Sequence, residues 1–417
     1  FFKFLIPPII IIWLLTWLLE GNFKTKFSSI FPKNMLFIII SFYMLHVIGL
    51  FYSENTKLAF FDLEVKFSLL LFPIIIAFSN NLYKRNFRTF LIAFVAGNLF
   101  ASLVCLINAL FHATGFNGSS IFFNAAVLDP GLSFWKSVIY GGNYFFYAQL
   151  SIFHHPSYFA MYLTFCIVLL FRLFAFAVNK KQKWWLSVCV IVCVLMIFLL
   201  SSRAGIIIAL GVIIAQLLIL VFKKLNLIAK LSFVAVCITT LVFLLTFNPR
   251  FKTLTEIGKN YYNYFFTGER SNSLEKNDDR VIVWQSSFEI IKENWLIGVG
   301  TGDVKDALVQ KYMEKKMRSI VDQSLNAHNQ FLETYTGLGI LGFLILLLLF
   351  VLPLRYLPGN NKRVAVFFLL ITGINFLFES MLNTQAGLIF FVFFYGLLFF
   401  IPDQNMKDKG IKKKATI

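Results

Sequence analysis

Three side chains that could bind an anion or move a proton lie where apolar segments of the chain begin or end: Arg203, Arg280 and His328. A guanidinium group can bind phosphate oxygens at two points, and an imidazole can take up a proton near neutral pH. Arg203 lies in a short turn between two apolar segments, at the level where lipid headgroups would lie. Arg203 could therefore form an anion site at a membrane surface, and His328, at the outer interface, could act as a base.

Each of these residues also has a structural explanation. Arg203 could extend to the membrane surface and bond helix-end carbonyls. Arg280 could be solvated, or could pair with Glu275 or with the adjacent Asp278-Asp279, which we interpret as a helix cap rather than a metal site. His328 could be structural, as a lone histidine usually is. Weaker candidates for substrate binding are His155, Asn329, Glu333 and Trp284.

The composition indicates a membrane protein. Of the 417 residues, 59% are hydrophobic and only 14% are charged, which is too few to cover a soluble fold of this size. The net charge of +18 would suggest nucleic acid in a soluble protein, but in a membrane protein Lys and Arg collect on cytoplasmic loops. We therefore expect membrane lipids as partners and no nucleic acid. The five cysteines lie in apolar runs and predict neither disulfides nor a zinc site.

Apolar runs of roughly 17 to 25 residues predict an all-α, polytopic membrane protein. Eleven spans are visible, and the total is twelve if the start of the natural chain, predicted to be missing before Phe1, holds one more. The predicted spans are 4–19, 35–52, 58–79, 88–110, 155–174, 184–202, 204–222, 229–247, 329–352, 364–380 and 387–401.

The basic residues set the predicted orientation, because they concentrate in alternate loops and in the tail 402–417, which we assign to the cytoplasm. The domains that follow are N-terminal spanning helices over 1–247, which include an aromatic outer loop at 111–154, a periplasmic loop at 248–327, and C-terminal spanning helices at 328–401. The outer aromatics could stack on sugars or form an interfacial belt.

Within the periplasmic loop, apolar residues at helical spacing predict an amphipathic helix over 280–294 that lies against the membrane, and a second helix over about 303–318. The glycines at 298, 300 and 302 do not complete a phosphate-binding pattern, because residue 303 is Asp, and a flexible hinge is the favoured interpretation. Acidic residues within the predicted spans lie near span ends, which counts against an ion-coupled carrier.

Four motifs in order resemble the O-antigen ligase and polymerase superfamily, most strongly over 185–350. They are Ser201-Ser202-Arg203-Ala204-Gly205, Arg280-Val-Ile-Val-Trp284, Leu296-Ile-Gly298-Val-Gly300-Thr-Gly302, and Ala327-His328-Asn329-Gln330-Phe331-Leu332-Glu333 leading into Gly337-Leu338-Gly339-Ile340-Leu341-Gly342. His155-Pro156-Ser157-Tyr158 adds weaker support.

The resemblance implies a multi-pass enzyme of the bacterial inner membrane. Such an enzyme transfers glycan from undecaprenyl pyrophosphate, on the periplasmic side, to a hydroxyl of the lipid A core or of a growing glycan. By the same resemblance, Arg203 and Arg280 would bind pyrophosphate and His328 would be the general base, with inversion at the sugar and without metal or cofactor. Ligase and polymerase remain open, with a weak preference for ligase, and a transporter or flippase for lipid-linked glycans is the third alternative.

Overall fold

The computed structural model describes residues 6–28, 33–138, 142–221, 279–357, 359 and 361–401, together with single positions 228, 232 and 239. The chain divides into two compact units, one made of Phe1–Leu91 with Arg280–Ile417 and the other of Ile92–Asp279. The boundary between residues 91 and 92 falls inside a long helix. Each unit is therefore described by itself.

The described elements are almost all helical. In chain order they are α1 (Ile6–Leu19), α2 (Phe23–Phe27), α3 (Lys33–Leu50), α4 (Thr56–Lys66), α5 (Ser68–Phe78), α6 (Asn80–Ala113), β1 (Thr114–Phe116), β2 (Ile121–Phe123), α7 (Phe134–Lys136), α8 (Tyr147–Leu150), α9 (Pro156–Phe176), α10 (Lys180–Leu200), α11 (Arg203–Val221), α12 (Asp279–Glu293), α13 (Val304–Glu314), α14 (Arg318–Gln323), α15 (Gln330–Val351), α16 (Lys362–Phe376) and α17 (Gln385–Phe399), with 3₁₀ turns at Leu352–Tyr356 and Met381–Asn383.

Several of these helices are long and apolar enough to cross a bilayer. Five candidates emerge, at Lys33–Leu50, Leu82–Ala113, Pro156–Phe176, Lys180–Leu200 and Gln330–Tyr356, and three shorter apolar helices lie at Ile6–Leu19, Arg203–Ile219 and Gln385–Phe399. The prediction of an all-α, multi-pass membrane protein is thereby confirmed. The predicted span at 229–247 lies outside the described residues, apart from position 232 and position 239, so the count of eleven stays a prediction.

The predicted span at 58–79 is two short helices rather than one. α4 ends at Lys66 and α5 begins at Ser68, and between them the Phe67 N–H bonds to the Glu64 carbonyl in a tighter, three-residue turn. Acidic and basic residues of this segment therefore belong to a separate helix, α4, and not to a membrane-crossing apolar helix.

Side-chain caps explain where the best-defined helices begin. Asn179 accepts a hydrogen bond from the Gln182 N–H at the start of α10, and Asn329 does the same for Phe331 and Leu332 at the start of α15. α9 begins with Pro156 in its first turn, where proline costs no hydrogen bond. Caps on these helices fix where the neighbouring loop residues lie.

Both predicted helices of the segment before His328 are present, as α12 and α13. They share a small apolar core with α14, formed by fully or almost fully buried side chains: Val283, Ile290, Val304, Leu308, Tyr312 and Ile320. Phe288, an apolar residue of α12 outside this core, is 47% exposed. α12 therefore buries its apolar face against α13 and α14.

In the second unit, α9 forms the centre. Most of its residues are buried, and α10 and α11 pack against it. Gly205 lies so close to Ala160 that a Cβ at position 205 would be 2.5 Å from the alanine methyl. After α6, β1 and β2 form an antiparallel hairpin within the predicted outer loop, with Phe116, Phe122 and Phe123 exposed.

Candidate active site

His328 lies in the turn immediately before α15. Its backbone adopts a left-handed conformation (φ 43°), and its N–H donates to the Asn326 side-chain oxygen at 3.0 Å. The next residue, Asn329, caps α15. These local hydrogen bonds hold the imidazole just before the first turn of α15.

Glu379 connects His328 to Arg280. One carboxylate oxygen, Oε2, lies 3.1 Å from His328 Nδ1, and the other, Oε1, lies 3.6 Å from Arg280 Nη2. The Glu379 side chain is only 10% exposed, whereas those of His328 and Arg280 are 27% and 41% exposed. We call Arg280, Glu379 and His328 the Arg–Glu–His cluster. It pairs a buried carboxylate with two partly exposed groups that can still reach a substrate.

The cluster defines which atoms are available for chemistry. When His328 Nδ1 carries a proton, it donates to Glu379, and Nε2 is then the nitrogen that can accept a proton from a substrate. A carboxylate in this position also stabilises the imidazolium that proton uptake creates. The arrangement is suited to general-base chemistry beside a guanidinium.

Glu333 joins the segments on either side of the cluster. Its Oε2 accepts hydrogen bonds from the Ala327 N–H at 3.0 Å and from Ser380 Oγ at 3.4 Å, and its Oε1 accepts from Asn383 Nδ2 at 2.8 Å. Ala327 precedes His328 and Ser380 follows Glu379. One carboxylate thus fixes the spacing of the two backbone segments that carry the histidine and its partner.

Lys66 is a buried cation that is linked to Glu333 through Asn383. Lys66 pairs with Asp62 on α4 and donates to Asn383 Oδ1 at 3.4 Å, and its side chain is only 4% exposed. Asn383 therefore bonds Lys66 with its oxygen and Glu333 with its nitrogen. The charges at this end of the first unit form one connected polar network.

Trp284 ties the helix of Arg280 to the turn of His328. It follows Arg280 by about one turn of α12, and its indole N–H donates to the Ala327 carbonyl at 3.0 Å. The first unit therefore brings together five of the residues predicted from sequence: His328, Arg280, Glu333, Trp284 and Asn329.

Arg203 and His155 belong to the second unit. Arg203 is exposed and begins α11, after Ser201 in a left-handed conformation (φ 52°) and Ser202, whose hydroxyl accepts the Gly205 N–H at 3.2 Å. His155 is exposed and caps α9, accepting the Ser157 N–H at 3.4 Å. Both residues lie at helix starts, as the turn patterns predict.

Glu379 lies near the end of the predicted span 364–380, and no sequence pattern assigned it to the site. Its partner His328 is 51 positions away, so no local pattern joins them. The available signal was physical: a carboxylate beside an apolar run is costly, and such residues mark function or pairing. Lys66 and Asp62 were missed because they fell inside a predicted span.

Comparison with known proteins finds one family model and a relative that covers part of this chain. A family model described as O-antigen ligase matches residues 188–347, a range that contains Arg203, Arg280, His328 and Glu333. An uncharacterized protein of Haemophilus influenzae is 26% identical over 201 residues, which are 47% of this chain and 49% of that protein. The chain thus spans about half the length of the curated relative that it matches.

The helices long and apolar enough to cross a bilayer and the family match both indicate a multi-pass membrane protein. The matched range contains the motifs at 201–205, 280–284, 296–302 and 327–342, and it ends within α15. It confirms the resemblance to the O-antigen ligase superfamily, over residues 188–347 of a multi-pass membrane protein.

Proposed function

We propose that this chain is a glycosyltransferase of the O-antigen ligase type in the bacterial inner membrane. It transfers glycan from undecaprenyl pyrophosphate to a hydroxyl of the lipid A core, on the periplasmic face. The observation that carries the proposal is the Arg–Glu–His cluster, in which a candidate base and a candidate anion-binding group share one buried carboxylate.

In the proposed reaction, the acceptor hydroxyl attacks the anomeric carbon and gives its proton to His328 Nε2. The bond from that carbon to the diphosphate oxygen breaks, and its electron pair leaves on the diphosphate. Attack opposite the leaving group inverts the anomeric centre. The diphosphate is already a good leaving group, so the protein has to take up one proton and stabilise one growing negative charge.

The arginines supply that stabilisation without a metal or cofactor. Arg280 has 41% of its side chain exposed while it contacts Glu379 through one nitrogen, so its remaining N–H groups can face a phosphate. Arg203 is the second proposed diphosphate ligand, at an exposed helix start.

The weaker candidates have supporting roles in this proposal. Glu333, Asn329 and Trp284 each bond backbone groups at positions 327–332 and would hold His328 in place. His155, exposed at the start of α9 near the rings of Tyr147 and Tyr158, is the remaining candidate for contact with the glycan.

The test is transfer by purified protein in liposomes with a lipid-linked glycan donor and a lipid A core acceptor. His328→Ala should lower turnover by about 10²- to 10⁴-fold because the proton acceptor is lost. His112→Ala is the matched control, since His112 is exposed on α6, where its ring bonds the Asn108 carbonyl of the same helix. Retained turnover in folded His328→Ala protein would contradict the assignment of His328 as the general base.

Deleting the gene distinguishes the ligase from its alternatives. Loss of a ligase leaves long glycan on the carrier lipid. Loss of a polymerase leaves single repeat units on the core, and loss of a flippase strands single units on the inner membrane face. Each pattern is read from surface glycan and from extracted lipid-linked intermediates.

A further inference from the structure

Three consecutive apolar side chains are exposed at the end of α12. Trp295, Leu296 and Ile297 are 56%, 52% and 58% exposed. We call residues 295–297 the apolar tip. The nearest charged side chains in sequence are Glu293 before it and Asp303 after it. A contiguous exposed apolar segment of this kind marks an interaction surface.

Backbone hydrogen bonds fix the tip and the glycines after it against α15. The Ile340 N–H donates to the Trp295 carbonyl at 3.0 Å, and the N–H groups of Val299 and Gly300 donate to the carbonyls of Thr336 and Gly337, each at 2.9 Å. α15 can supply these groups because its helical path is interrupted at Gly339 (φ 62°). The glycine segment, predicted to be a flexible hinge, is therefore fixed by backbone hydrogen bonds. We call this contact between residues 295–300 and α15 the joint.

Glycine makes this close approach possible. A Cβ at Gly298 would lie 2.5 Å from the Gly337 carbonyl carbon and 2.6 Å from the Gly339 nitrogen. Segments at membrane depth must satisfy their backbone polar groups within the protein, and the joint does so for the groups that face α15.

Two features give the level of the tip relative to the bilayer. The first is Ile340, which bonds Trp295 and lies at the start of the continuous apolar run of α15. Beyond Ile340, Leu341 and Leu344 are 56% and 46% exposed, as is typical of side chains that face lipid. The second feature is α3, which ends at Leu50; just beyond it, the Tyr52 hydroxyl donates to the Ile297 carbonyl at 2.7 Å. Both features place the tip beside candidate spanning helices, at the end of α3 and at the start of the apolar run of α15.

We propose that the apolar tip inserts into the bilayer and that its partners are phospholipid acyl chains. Trp295 takes the position of an interfacial aromatic residue, and Leu296 and Ile297 enter the edge of the hydrocarbon region. The helix that begins beside Arg280 is then anchored in lipid at its other end. This inference does not depend on the glycosyltransferase proposal, because insertion is measured without substrate.

The test uses tryptophan fluorescence of the full chain in phosphatidylcholine liposomes. The emission that disappears in Trp295→Phe is assigned to Trp295. We expect that component to be quenched by phosphatidylcholine brominated on its acyl chains and to be unaffected by aqueous iodide. Leu296→Trp, made in the wild-type background, gives the same readout at the neighbouring position if Phe at 295 is not tolerated.

Two further variants calibrate the measurement. Leu344→Trp on α15 should respond to brominated lipid, and Met313→Trp, 60% exposed on α13, should respond to iodide. Quenching of the Trp295 component by iodide would overturn the proposal and assign the tip to water. Quenching by neither reagent would also overturn it and would show that another protein surface covers the tip.

Discussion

Glu379 is the residue on which the proposed chemistry depends most, because its two oxygens face two different functional groups. A glutamine at this position keeps the size of the side chain but removes its charge. His328 then loses the group that would stabilise its protonated form, and Arg280 loses its ionic partner.

Glu379→Gln should therefore lower kcat about 100-fold, with a smaller change in the KM for the acceptor. The measurement is steady-state transfer in liposomes. Glu314→Gln is the matched control, since Glu314 is an exposed glutamate that pairs with Lys311 on α13. Wild-type kcat in Glu379→Gln would contradict the role assigned to this carboxylate.

Arg280→Lys and Arg203→Lys test the proposed two-point binding of diphosphate. Lysine keeps the positive charge but cannot present a planar fork, so each variant should lose at least one charged hydrogen bond. We expect KM for the lipid-linked donor to rise about tenfold in each. Arg318→Lys, a conservative change on α14, serves as the control. Wild-type KM in both arginine variants would rule out this mode of binding.

At the scale of elements, the joint between residues 295–300 and α15 should be sensitive to added side-chain atoms. Gly298→Ala places a methyl group against the backbone of Gly337 and requires a left-handed alanine (φ 74°). We expect a loss of about 1–3 kcal/mol in stability, measured as a lower midpoint of thermal unfolding in detergent.

The control for this change is Gly97→Ala within α6. A Cβ there has no neighbour within 4 Å, and alanine favours helix over glycine. Gly97→Ala should therefore leave the midpoint unchanged or raise it slightly. Equal midpoints for the two variants would mean that the joint contributes little to folding.

The elements themselves were largely predictable, because apolar runs and caps are local signals. α9, α10, α11 and α15 begin within four residues of their predicted starts. The break at Phe67 was missed because segment 58–79 is apolar on average, although Asp62, Glu64 and Lys66 all lie on its α4 side. At the candidate site, residue type and turn position made His328 and Arg280 candidates and the family resemblance implied their roles, whereas Glu379 required the three-dimensional fold to bring distant segments together.

At the scale of the whole molecule, the distribution of basic residues makes a prediction about sidedness that is independent of the site. The segment 111–154 should face the periplasm, and the tail 402–417 should lie in the cytoplasm. Ser119, exposed after β1, is a convenient reporter position.

Ser119→Cys should react with a membrane-impermeant maleimide added to cells whose outer membrane has been permeabilised. A cysteine at Lys362, at the exposed start of α16, should react only after the inner membrane is opened. The four native cysteines within the described residues are buried or half-buried, so the wild-type chain measures background labelling. Labelling of both positions from the same side would contradict the predicted topology.

The position of Arg280 has a kinetic consequence. Its guanidinium faces Glu379 at 3.6 Å, a distance that an arriving diphosphate can lengthen by drawing the same group toward itself. Donor binding would then weaken the Arg280 contact and leave His328 as the main partner of the Glu379 carboxylate. We expect an ordered reaction in which the lipid-linked donor binds before the acceptor, seen as product inhibition by undecaprenyl diphosphate that competes with donor and not with acceptor.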